Sequence, residues 1–110
     1  MTKTFRVLLF AALLFATPGL AQTHGGHGGH MSGMAAATDT MMQGMQIEPS
    51  GDVDIDFARA MIAHHQGAVD MAKAVLDRTE VPVTVNLATT IITAQSSEIR
   101  YMEQLLADRS

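Results

Sequence analysis

The chain has 110 residues, no cysteine, nine methionines and five histidines, with a formal charge of −4. That excludes a disulfide framework and thiolate metal sites, and leaves room for about one small domain. The acidic balance and the absence of a basic run speak against nucleic acid as a partner and suit cations better.

Lys3 and Arg6 precede an apolar run from Val7 to Ala16, followed by Pro18, Gly19, Leu20 and Ala21. This pattern predicts a cleavable secretory signal over 1–21, since the run is shorter than the ~20 residues a membrane span needs. No later segment is long enough to span either. The expected product is a soluble periplasmic or secreted protein, with no membrane attachment after cleavage. Loss of Lys3 and Arg6 leaves five basic against eleven acidic residues, a formal charge of −6.

Residues 22–50 read as a Gly/His/Met-rich flexible segment. The stretch Gln22 to Gly33 offers little that could pack and is predicted to be disordered without a ligand. It reads either as a linker or as a metal-capture tail. His24, His27 and His30 recur every three residues, and Met31 and Met34 follow with thioethers. A mature chain starting at Gln22 would have His24 third. Its amine, two amides and that imidazole could then give the planar nitrogen set that favours Cu(II) or Ni(II).

Met41, Met42 and Met45 suggest a short helix starting near Asp39, with sulfurs on one face. It would either cover the end of a bundle or bind ligands. The sequence Glu48-Pro-Ser-Gly-Asp then breaks the chain.

From Asp54 or Asp56 to Leu76 or Asp77 the apolar spacing is that of an amphipathic helix. Phe57, Met61, His64, Ala68, Met71 and Val75 share a narrow stripe, with His65 to one side. Arg59, Gln66, Asp70 and Lys73 lie opposite. Gly67 costs this helix about 1 kcal/mol relative to Ala and suits close approach of a neighbour. Arg78 to Pro82 reads as a turn, and Pro82 fits the first turn of a second helix. The β-branched run Thr89 to Thr93 would also suit a strand. The periodicity of Leu87, Ala88, Ile91, Ile92, Ile99, Met102, Leu105 and Leu106 favours a helix to about Ala107. The predicted fold over 51–110 is thus all-α: an antiparallel helical hairpin, a half bundle completed by a short N-terminal helix or by dimerisation.

Both helices carry unusual residues on their apolar stripes. Gln95, Glu98 and Met102 should meet Met61, His64, His65 and Met71 across the hairpin. A buried Glu98 needs a partner, and a histidine N–H donated to it would orient that imidazole for a metal. His64 and His65 are about 100° apart on the helix, so one is expected to ligate while the other takes a different partner. His64, nearer the centre of the stripe, is the first choice. Thioethers with imidazole select copper, as Cu(I) or Cu(II). A di-iron site would want more carboxylates than Glu98 supplies.

The pattern Phe57-x3-Met61-Ile62-x-His64-His65-x2-Ala68-x2-Met71-Ala72-x3-Leu76, followed by Leu87-Ala88-x2-Ile91-Ile92-x2-Gln95-x2-Glu98-Ile99-x2-Met102, resembles domain-of-unknown-function family 305. That family includes CopM-like periplasmic copper-binding proteins. The resemblance spans about Asp54 to Leu106. It implies a ferritin-like helical bundle, export, and copper binding or tolerance. It maps the ligand pattern onto Met61, His64, His65, Met71 and Met102, with Gln95 and Glu98 beside them. The expected function is copper buffering, tolerance or transfer, with a metal ion, a possible second copy and a possible copper-handling protein as partners. The alternatives are a ferritin-like metal-dependent oxidase and a metal-free helical interaction module whose polar residues fix dimer register. No nucleophile–base pair or phosphate loop is present.

Overall fold

A computed structural model of the protein describes residues 28–109, with side chains from Met31 onward. The predicted signal over 1–21, the Gln22 amine, His24 and His27 lie outside the described residues, as does the side chain of His30. The described chain is three α-helices: α1 Gly28–Gly44, α2 Val53–Leu76 and α3 Pro82–Arg109. The hairpin is present as predicted. No helix among the described residues is long and apolar enough to cross a membrane.

Helix α1 differs from expectation. It begins at Gly28, well before Asp39, and takes in part of the stretch expected to lack order. Glycines of both α1 and α2 serve close packing between the two helices. A Cβ on Gly67 would fall 2.6 Å from Met41 Cβ, and one on Gly44 would fall 2.9 Å from Ala63 Cβ. One on Gly33 would come within 3.3 Å of Ala74 Cβ. As residue numbers fall along α1 they rise along α2, so the two helices run antiparallel. The helix ends at Gly44, with Met45 N–H still donating to Met41 O at 3.0 Å.

Asp52, rather than Asp54 or Asp56, caps α2. Its carboxylate accepts the N–H groups of Asp54 and Ile55 at 2.9 and 3.3 Å. These bonds satisfy donors that the first helical turn leaves free. Gly51, at φ +89, supplies the left-handed residue that turns the chain into this cap. Asp56 reaches back to accept the Ser50 N–H at 3.0 Å. These contacts lower the Asp52 carboxyl pKa below its ordinary value. The Ile55 N–H is the main cause, burial opposes it, and the Asp54 N–H and Arg109 add to it.

Helix α3 keeps its β-branched run helical. Thr89 and Thr93 donate their hydroxyls to Val85 O and Thr89 O at 2.8 and 3.1 Å, one turn back. At its end Arg109 reaches Asp52 at 3.0 Å and Asp54 at 2.7 Å, tying the last turn of α3 to the first of α2. All three side chains are substantially exposed, so these ion pairs mark register more than they add stability.

Helices α1 and α3 each pack against α2 and not against one another. The α2 residues that meet α1 are Ala63, Gly67 and Ala74. Those on the α3 side include His65 and Ala72. At ~100° per residue these two sets lie on opposite sides of α2. The described chain is therefore a single layer. Its buried residues are Ala37, Ala58, Gly67, Val69, Ala72 and Ala88, and no large side chain is fully buried. Of the two expected ways to complete the hairpin, a short N-terminal helix or a second copy, the first is not what α1 does: it extends the layer on the far flank of α2.

Candidate metal centre

The seam between α2 and α3 opens on one face into a groove with two unlike ends. Near the α2 N-terminus, Phe57, Met61 and His65 meet Glu98, Tyr101 and Met102 around a pocket of about 270 Å³. Near the Asp77–Val81 turn, the lining is Ala68, Met71, Ala72, Val75, Thr84, Leu87, Ala88 and Ile91. The first end gathers an imidazole, a carboxylate and two thioethers. The second is hydrocarbon apart from the Met71 sulfur and the Thr84 hydroxyl.

His65 is the hinge of the first end. Its Nε2 lies 2.5 Å from Glu98 Oε2, and its side chain is 14% exposed. The His65 Nδ1 is buried and has no hydrogen-bond partner. In the neutral ring, an Nε2–H donated to the carboxylate leaves Nδ1 carrying a bare lone pair. That is the state in which an imidazole ligates a metal, with its other nitrogen held by a carboxylate. Gln95, one turn before Glu98, also has a buried side-chain oxygen without a partner.

The other proposed ligands are placed differently. His64 is exposed and does not line the pocket; its ring meets that of His65 edge-on, with centroids 5.9 Å apart. Of the two histidines it is thus His65, and not the expected first choice His64, that the structure places in the pocket. The middle of the apolar stripe of α2 is not the direction of α3: the stripe faces the open side of the layer, and His65 sits where the partner helix lies. Met71 lies in the hydrocarbon end, away from Met61 and Met102. Glu98 is not buried, since its side chain keeps 58% exposure while bonded to His65. It therefore needs no ion to be tolerated. Met34 lines a separate groove with Val75, Arg78 and Thr79, and Met31 is exposed. Met41 packs over Gly67, while Met42 and Met45 are exposed.

Tyr101 was not singled out from the sequence. It lies three residues beyond Glu98 and next to Met102, so helical spacing alone could have put it in the pocket wall.

Among the described residues no group of three or more His, Cys, Asp or Glu could hold a metal ion. A donor set exists only when the thioethers are counted. Met61, His65 and Met102, with Glu98 behind the imidazole, then fit a soft ion and do not fit a carboxylate-bridged di-iron pair.

The chain is similar to an uncharacterized protein, L153, of Acanthamoeba polyphaga mimivirus. The two are 39% identical over 56 residues, which is 51% of this chain and 37% of the viral protein. The chain thus matches little more than a third of that relative's length. A far longer match, over residues 13–106, is to the family described as Domain of unknown function (DUF305), and the chain belongs to that family.

Proposed function

We propose that this chain is an exported copper-binding protein that takes copper as cargo, for buffering, tolerance or transfer. Met61, His65 and Met102 are the ligands in the folded part, with Glu98 as the carboxylate that orients the imidazole. The observation that carries this reading is the His65 ring, held through Nε2 by Glu98 and leaving a buried Nδ1 without a partner. Two thioethers share its pocket. Soft sulfur with imidazole favours Cu(I). The histidines at 24, 27 and 30 would supply a separate capture segment, with Met31 and Met34 close behind. Export rests on the charge and hydropathy pattern of residues 1–21.

Copper X-ray absorption on the Cu(I)-loaded chain tests this, with His24, His27 and His30 changed to Ala so that the tail cannot answer for the fold. The expected spectrum has sulfur and nitrogen in the first coordination sphere. A sphere of nitrogen and oxygen alone, or no retained copper, would refute the site.

A further inference from the structure

We infer that the open face of the α2–α3 hairpin is covered by a second copy of this chain, with α2 of each copy lying along α3 of the other. This does not depend on copper.

The described chain carries one apolar face with nothing over it. Phe57 is 62% exposed, Leu87 60% and Tyr101 76%, and all three border the groove along the hairpin. A helical layer with an apolar face needs a second layer to form a core, and here no large side chain is fully buried within the first. Helix α1 does not supply that layer, because it packs on the far flank of α2.

The size and chemistry of the face suit a second copy. Helix α2 has 24 residues, about 36 Å at ~1.5 Å per residue, and two helices at ~10 Å spacing give a face of roughly 700 Å². Two such faces together bury about 1,400 Å², within the usual range for a stable pair. The charge pattern selects the arrangement. Beyond the first turn of α2, with its Asp54 and Asp56, the charged residues Arg59, Asp70 and Lys73 lie opposite the apolar stripe, whereas His64 lies within it. Glu98 borders the groove on α3 and keeps 58% of its side chain exposed.

A two-fold axis along the hairpin's length places α2 over the second copy's α3 without shifting the level of any residue. The His65–Glu98 contact shows that positions 65 and 98 are level within one chain. The same axis therefore brings His64 of each copy level with the second copy's Glu98. Each carboxylate then lies between His65 of its own chain and His64 of the other. Every helix also runs antiparallel to both hairpin neighbours, as in a four-helix bundle. A polar pair at one level of an otherwise apolar interface fixes register.

The absence of cysteine makes a clean test possible. Sedimentation velocity of the full chain in EDTA should give the mass of two chains. Counting from the 65–98 level, position 87 lies level with about 76. The Val75→Cys and Leu87→Cys proteins, mixed in EDTA and mildly oxidised, should therefore yield mainly the unlike-pair disulfide. A one-chain mass, which includes the outcome in which residues before Gly28 cover the face, would overturn the proposal. So would like pairs forming as readily as unlike ones. With no copper present, neither failure bears on the metal reading, and failed copper binding does not bear on this one.

Discussion

The two flanks of α2 are built from the same helix and do opposite things. On the α1 side, Ala63, Gly67 and Ala74 face Gly44, Met41 and Gly33, so closely that added methyl groups would collide at two of the three positions. On the α3 side, His65, Glu98 and Gln95 stand among methionines, and two buried polar atoms have no partner. Close backbone packing draws the α1 seam tight, and the Met41 sulfur at its centre sits over Gly67. The looser seam holds donor atoms that the fold itself does not satisfy, and that is where a ligand has something to offer.

Substitutions can separate the two seams. The largest effect is expected from Met61→Leu combined with Met102→Leu. Leucine keeps the volume, so each change should cost less than about 1.5 kcal/mol of stability. Cu(I) affinity should fall by about 100-fold or more, as read by competition with a chromophoric chelator, because both thioethers are gone. Gly67→Leu should do the reverse. Forcing a side chain against Met41 should cost about 1–3 kcal/mol in chemical denaturation, with copper stoichiometry unchanged. If it abolished copper binding without unfolding the chain, the two flanks would not be independent.

Glu98→Gln should have a smaller effect, about 10-fold in copper affinity, since it weakens the bond that orients His65 without removing a ligand. Asp52→Asn should have the smallest effect at neutral pH, because asparagine caps about as well as aspartate. Its signature lies in acid. The folded carboxyl of Asp52 is held below its ordinary value of 3.8. Its stabilising contribution is therefore present above that value and is lost as pH falls through the lower folded value. Thermal melts below about pH 4 should show the wild-type chain losing stability more steeply than the variant.

Much of the hairpin is legible in the sequence, because its signals are local. Asp54 and Asp56 mark the start of α2 to within a turn, Pro82 starts α3, and helical spacing overrides the β propensity of Thr89 to Thr93. Helix α1 is not legible in the same way. Gly33 and Gly44 look like flexibility until Ala74 and Ala63 are seen against them, and that information is non-local. The histidines carry the sharper lesson. Periodicity locates the middle of an apolar stripe, but it does not say from which direction a neighbour arrives. With α1 and α3 on opposite flanks of α2, the middle of the stripe is the open face. His64 falls there, and His65, one residue off centre, falls in the seam. The convergence of Met61, Glu98 and Met102 follows from spacing alone, whereas the separation of Met71 requires the axial register of the two helices.

The most direct test compares His65→Ala and His64→Ala in one Cu(I) competition titration, with His24, His27 and His30 replaced by Ala in both proteins. Loss of about 100-fold in affinity for His65→Ala and little change for His64→Ala is the predicted result. Equal losses, or a larger loss for His64→Ala, would contradict a copper site built on the buried His65 Nδ1.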